Sequence, residues 1–505
     1  MALTKGETPA MNHQTTTVVL LAAAALAGVP AHAEDTVAHY QAQIAAMNHT
    51  GPQLNAVIAT NPEAAREALD AAKIAGPLAG KAILIKDNIE MAGPLATTAG
   101  SLALAANVTG RDAPLVARLR RAGVVFLGKT NLSEWANIRS GFSSSGWSAV
   151  GGQTRNPFAT DRSPCGSSSG SGAGVAAGMA WAAIGTETDG SITCPASMNG
   201  LVGFKPTVGM VSRTHVVPIS HSQDTAGPMA HSVHDAALLL TAMAGTDPAD
   251  PATAPADARK TDFVAALQGA SLKGLRIGVL RSAVGDDAKV QALFGHALAD
   301  LKAAGAELVE IDYTADPAMG RDELTVLLYE LRTDLGAYLG GLPNKVPVRT
   351  LADVIAFNRA HADAELRWFG QDTFEAAEKL TDAAAYAKAR ANSLRLAGKD
   401  GIDHLLAQHH VALLIAPTAG PAWPIDLVSG DHGLQLGAGN LPAIAGYPHL
   451  TVPMGAIEGL PVGLSFIGTA WDDAHVLAAG AAYETARTAE LAKPTFEPWK
   501  ERALR

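Results

Sequence analysis

The sequence predicts an α/β protein in which helices pack on a largely buried sheet, and three observations carry that expectation. Short apolar runs of strand character alternate along the chain with segments of helical spacing. The 505 residues are 48% hydrophobic with 50 glycines, a composition that suits a large cored globule and not a disordered chain. The clearest strand–helix–strand passage lies mid-chain. The run 275–280 is a strand, a helix follows with Val290, Leu293, Ala297, Leu298 and Leu301 on one face, and 307–313 is strand again.

Taken in order, the first feature is the apolar run Val18–Val29, then Pro30 and the small-x-small triplet Ala31-His32-Ala33. This is the pattern of a secretory leader over residues 1–33, cleaved after Ala33 and directing export to the periplasm or beyond; residues 34–505 then form one domain. Asn61 reads as an N-cap with Pro62 at the first helical position. Lys81–Asn88 is an apolar strand that ends in charge at Lys86. Asp112 reads as the cap of a helix through Arg121, stopped by Gly123.

The next stretch, Gly123-Val-Val-Phe-Leu-Gly-Lys-Thr130, spells the phosphate-loop pattern G-x-x-x-x-G-K-[ST]. Its bulky middle residues, Val124 to Leu127, predict a buried strand instead. A phosphate loop also needs strand, loop, helix, and here the order is helix, strand, Gly-Lys. The match is a coincidence of letters, and Lys129 is expected to be structural. Farther on, residues 245–258 are rich in Pro, Ala and Asp and read as a surface excursion. His404, His409 and His410 have no spacing that suits one helix face, and no metal or cofactor motif is found.

A net charge of −10 argues against nucleic acid as a partner, since phosphate binding needs clustered Lys and Arg. No uninterrupted run reaches the roughly 18–20 apolar residues of a membrane span. Export would permit a disulfide between the two cysteines, Cys165 and Cys194, but two are too few for a disulfide framework, and of the two states buried free thiols are the one expected.

The unusual composition lies in residues 163–195, where two Gly/Ser-rich turns flank a small-residue helix and a strand. Glycine-rich turns let backbone N–H groups approach a ligand closely. Gly166–Gly170 also fits G-x-S-x-G, with Ser168 as a candidate nucleophile that would need a later acid and His. Gly170–Gly178 fails the dinucleotide pattern because Val175 stands where the third glycine belongs.

Together with Lys86-Asp87-Asn88, these turns resemble the amidase signature family: a Lys after an apolar strand, "GSSSGS" at 166–171, and "GTETDGS" at 185–191, 24 residues on from serine to serine. The resemblance continues through "GKTNLSEWAN" (128–137), "GGQTRNP" (151–157), "GLVGFKPT" (200–207), "SQDTAGPMA" (222–230) and 443–468. Within the family the wording is most similar to the bacterial peptide amidases. The resemblance implies the amidase signature fold, a large twisted mixed β-sheet core covered by α-helices on both faces.

It also implies a Ser–cis-Ser–Lys triad: Ser191 as nucleophile, Ser167 after a cis peptide bond as the bridging serine, and Lys86 as base. A lysine can take a proton only if it is neutral, so its pKa must fall well below about 10.4. Burial beside Ile83 and Ile85 pushes it that way. The backbone N–H groups of Thr188, Asp189, Gly190 and Ser191 are expected to hold the oxyanion, where one lost donor typically costs about 10²–10³ in rate. Thr186 and Asp224 match supporting positions. An ionised Asp189 would oppose the oxyanion, so it is expected to point away or to be hydrogen-bonded.

The expected activity is therefore metal-free and cofactor-free hydrolysis of a carboxamide by acyl transfer, on a small-molecule or peptide amide, by a monomer. The C-terminal amide of peptides is the leading substrate and a broad small-molecule or aryl-acyl amidase the runner-up. A role within an amidotransferase for charged tRNA is opposed by the leader and the acidic balance. An exported solute-binding protein gives Lys86, Ser167 and Ser191 no purpose. Specificity is expected to come from loops, including parts of 315–375.

Overall fold

In the computed structural model, which describes residues 33–500, eleven strands build one sheet and two short strands a separate ribbon. In chain order they are β1 (Val57–Thr60), β2 (Ala82–Lys86), β3 (Val125–Thr130), β4 (Trp147–Ser148), β5 (Gly152–Gln153), β6 (Ala182–Glu187), β7 (Val202–Lys205), β8 (Thr225–Ala230), β9 (Arg276–Leu280), β10 (Glu307–Ile311), β11 (Leu413–Pro417), β12 (His449–Ile457) and β13 (Leu460–Ile467). The large sheet runs β1-β3-β2-β6-β8-β7-β12-β13-β11-β9-β10, and β4–β5 form the ribbon. It is mixed: β3-β2-β6 and β11-β9-β10 are parallel blocks, and the strands between them are antiparallel. The leader read at residues 1–33 lies outside the described residues apart from Ala33.

Alternation of side chains makes this a three-layer α/β protein. Ile83, Ile85, Phe126, Ala182 and Ile184 face one core with the helices Pro114–Arg121, Val233–Met243, Ala288–Ala303 and Asp473–Ala486. Ala82, Leu84, Val125, Leu127 and Ala183 face the other, with Ala33–Met47, Ala64–Ala71 and Ser169–Ala176. A helical cap, in which Leu331, Leu335 and Leu339 meet Val354, Ile355 and Phe374, packs against Trp135 beside the sheet.

The phosphate-loop match is a buried strand, β3, preceded by the helix Pro114–Arg121. Two helix starts differ from expectation. Asp112 does not cap that helix: Ala113 is the N-cap and Pro114 opens it, while Asp112 binds the Ala92 N–H and Arg120. The helix after Asn61 begins at Ala64, because Asn61 Oδ1 closes a turn on the Glu63 N–H before the helix starts. In both places the acceptor found a nearer partner than the one that spacing suggests. The region 315–375 is mostly helical, not loop, opening with Pro317–Gly340.

Candidate active site

Lys86 ends β2 and Glu187 ends the neighbouring parallel strand β6, so the site lies at the carboxyl ends of adjacent parallel strands, where open α/β sheets bind ligands. The turn at 165–168 enters the helix Ser169–Ala176, which leads back to the start of β6. That helix is all small residues because the backbone runs close to its neighbours: a Cβ on Gly170 would overlap Ala56 O.

The structure brings Lys86, Ser167 and Thr186 together. Lys86 Nζ lies 2.7 Å from Ser167 Oγ, 2.8 Å from Thr186 Oγ1 and 3.2 Å from Thr186 O, fully buried. Burial pushes its pKa down to about 7, against the upward pull of the Asp224 and Glu187 charges. Asn88 Nδ2 donates to Thr186 Oγ1 at 2.9 Å and holds that hydroxyl on the lysine. The Gly166–Ser167 peptide is cis, and Ser133 N donates to Ser167 O at 3.1 Å. Ser168, the alternative nucleophile, is spent inside the fold: it donates to Thr186 O and accepts from Thr186 N.

Ser191 is 8% exposed. Its carbonyl accepts from Ser168 N at 3.1 Å, tying the two serine turns together, and its Oγ has no hydrogen-bond partner among the described residues. The N–H groups of Thr188, Asp189, Gly190 and Ser191 likewise find no protein acceptor among them. Gly190 takes φ +76°, a conformation L side chains rarely adopt, although a Cβ there would meet nothing. Successive backbone donors left without acceptors on a partly exposed turn are the kind of feature that can receive an anion.

Asp224 supports this turn from behind. Its Oδ1 accepts from Thr188 Oγ1 at 2.6 Å, and its Oδ2 from Ile219 N and Ser220 N. Burial raises its pKa to about 6, opposed by those donors. Asp189 turns aside and is hydrogen-bonded, its Oδ2 accepting from Asn440 Nδ2 at 2.6 Å. Burial first, then the Glu323 carboxylate beside it, raises Asp189 well above the usual carboxylate range, so it tends to the neutral acid.

Four contributors escaped sequence reasoning. Glu187 accepts from Ile192 N and Thr193 N and so starts the helix Thr193–Met198 just after Ser191. Asn88 holds Thr186. Glu330 accepts from Ser220 and Ser222 and pins the loop that carries Asp224 to the helix Pro317–Gly340. Glu323, on the same helix, accepts from Gln223 Nε2, which also donates to Thr188 O, and its carboxyl lies beside that of Asp189. Glu187 and Asn88 stand inside the family-like motifs; the other two come from a segment with no local signal. The expectation of free thiols is overturned: Cys165 and Cys194 form a disulfide, Cα atoms 6.0 Å apart. They lie 29 residues apart in sequence, yet both flank serine turns that the sheet brings edge to edge.

The family profile "Amidase" matches residues 35–477. The chain is 37% identical over 460 residues to a protein of Arabidopsis thaliana named a probable amidase, covering 87% of this chain and 85% of that one. It is 38% identical over 460 residues to a subunit of the glutamyl-tRNA(Gln) amidotransferase of Roseiflexus sp. strain RS-1, covering 88% and 91%. Among solved structures, the peptide amidase of Stenotrophomonas maltophilia is 49% identical with a TM-score of 0.87, covering 92% of this chain and 96% of that one.

Proposed function

Because the chain belongs to the amidase signature family and is a hydrolase of linear carbon–nitrogen amide bonds, we propose that it removes the C-terminal carboxamide of peptides through Ser191, Ser167 and Lys86. The observation that carries the chemistry is the environment of Lys86. Among the described residues its Nζ contacts only neutral oxygens, two of them on Thr186 and the third on Ser167. A neutral amine has two hydrogens and one lone pair; Thr186 O and Oγ1 take the hydrogens, and the lone pair faces the Ser167 hydroxyl.

Ser191 Oγ attacks the amide carbon while its proton passes to Ser167 Oγ and the Ser167 proton passes to Lys86 Nζ. The oxyanion settles on the N–H groups of residues 188–191. As the carbon–nitrogen bond breaks, the proton returns through Ser167 to the leaving nitrogen, which departs as ammonia. Water then attacks the acyl-Ser191 ester by the same relay, releasing the free acid. Asp189 is held by Asn440, and burial together with the Glu323 carboxylate pushes it towards the protonated form, which lessens the charge it sets against the oxyanion.

The substrate reading is supported by the similarity to a peptide amidase, one structure of which holds the competitive inhibitor chymostatin. Export is supported by the leader read at residues 1–33. The test is ammonia release from a C-terminally amidated dipeptide by the mature chain and by Ser191→Ala. Release by the parent alone fits the proposal. Release from simple aliphatic or aryl amides but not from the dipeptide overturns the peptide reading and favours the broad amidase.

A further inference from the structure

Of the site residues expected from the sequence, all but Lys86 and Asp224 lie between the two cysteines. The Cys165–Cys194 bond closes a covalent ring that contains Ser167, the helix Ser169–Ala176, β6 with Thr186, and the whole N–H turn 188–191. Cys165 stands two residues before Ser167 and Cys194 three residues after Ser191. Cys194 N donates to Gly190 O at 2.8 Å, so the bond grips the turn that presents the nucleophile. On the other side Ser169 Oγ donates to Cys165 O at 2.6 Å, at the start of the helix behind Ser167.

The other ties between the two turns run through their neighbours and none reaches the Ser191 hydroxyl among the described residues: Ser168 Oγ bonds Thr186, Glu187 holds the N–H groups of Ile192 and Thr193, and Asn199 Nδ2 donates to Pro164 O and Pro195 O. Ser167 Oγ is held by Lys86, Ser191 Oγ is unbonded among the described residues, and the main-chain link is the single bond from Ser168 N to Ser191 O. The turn 188–191 spends none of its N–H groups within the described residues. We propose that the Cys165–Cys194 disulfide positions Ser191 against the Lys86–Ser167 pair, so that the rate of hydrolysis follows the oxidation state of this bond. Cys165 and Cys194 are positioning residues and touch neither substrate nor reacting atoms. This inference rests on Ser191 and Ser167 acting as nucleophile and proton partner.

The switch is balanced with a dithiol as reductant. Its two thiols give two electrons and two protons to the bond, the sulfur–sulfur link opens to two thiols, and the dithiol closes to its own cyclic disulfide. Cys165 is buried among Ala159, Met198, Ala422 and Leu460, while Cys194 is partly exposed, so attack comes from the Cys194 side. A misplacement of about 1 Å in an active site can cost roughly 10²-fold in rate.

The experiment compares the mature chain oxidised, reduced by dithiothreitol and reoxidised, with thiols counted by alkylation and mass. kcat and KM for ammonia release from an amidated dipeptide are read well below the melting temperature, with circular dichroism as the fold control. The expected result is a kcat roughly 10–100-fold lower in the reduced, folded enzyme, KM within about twofold, a shifted acid limb of the pH profile, and recovery on reoxidation. Equal kcat in both forms overturns the inference, since a bond that only stabilises moves the melting temperature alone. The Cys165→Ala/Cys194→Ala double variant, assayed cold where it is folded, must give the same answer if dithiothreitol opens no bond. An oxidised parent that releases no ammonia from any amide overturns the hydrolytic roles of the serines and this inference with them; an active parent indifferent to reduction overturns this inference alone.

Discussion

Lys86 and Lys129 stand on adjacent strands, Lys86 opposite Thr130 and Lys129 opposite Ile85. Both are fully buried, and burial lowers both below the ordinary ammonium range. Lys129 has Asp87 Oδ1 at 3.5 Å and donates to Thr97 Oγ1 at 2.9 Å and to Ile89 O. Lys86 has no carboxylate in contact among the described residues; Asp224 and Glu187 are felt at a distance and do not pair with it. The same desolvation is met in two ways. One lysine has a carboxylate beside it that offsets the cost of burial, and the other has only uncharged contacts among the described residues. A base and a structural cation thus differ by one carboxylate.

The sharpest way to break this comparison is to remove each amine. Lys86→Met, like Ser191→Ala, is expected to lower kcat by about 10⁴-fold or more while the protein folds. Lys129→Met is expected to leave kcat within a few-fold but to cost about 3–5 kcal/mol of stability in urea, because Asp87 is left buried and unpaired. A folded, inactive Lys129→Met protein would end the distinction.

A smaller effect tests what aims the lone pair. Thr186→Val removes the hydroxyl shared by Lys86 and Asn88. Loss of a hydrogen bond of roughly 1–2 kcal/mol is expected to reduce kcat about tenfold with KM unchanged. An unchanged kcat would mean Thr186 O alone orients the amine.

Asp189→Asn should do least. If Asp189 is already a neutral acid, the amide mimics it, and kcat near pH 7 is expected to change by less than about threefold. A large rise in kcat would show that an ionised Asp189 had been opposing the oxyanion.

These residues differ in how readable they are. β2 and β3 are legible because apolar residues run unbroken from Ala82 to Ile85 and from Val124 to Leu127, and a strand buried on both faces has to look that way. Lys86, Ser167 and Ser191 stand out because Gly/Ser-rich turns are rare and their order matches a family. The helix starts near Asn61 and Asp112 mislead because a capping oxygen can serve any nearby N–H, and sequence spacing does not say which. Glu323 and Glu330 are invisible, since an acidic residue on a helix at 317–340 carries no mark of the loops it will meet. The disulfide is hidden for the same reason: pairing of Cys165 with Cys194 is decided by where β6 and its flanking turns come to rest.

The most direct test of Lys86 as a neutral base is the pH dependence of kcat/KM for ammonia release from an amidated dipeptide, followed from about pH 5 to about pH 10. Lys86 must be neutral to act, so protonation as pH falls removes activity. The predicted rate drops about tenfold per unit below an apparent pKa of about 7 and levels off above it. A rate that keeps climbing through pH 9 towards the ordinary lysine value of about 10.4 would contradict this, because Lys86 would then hold its proton just as a charged lysine does.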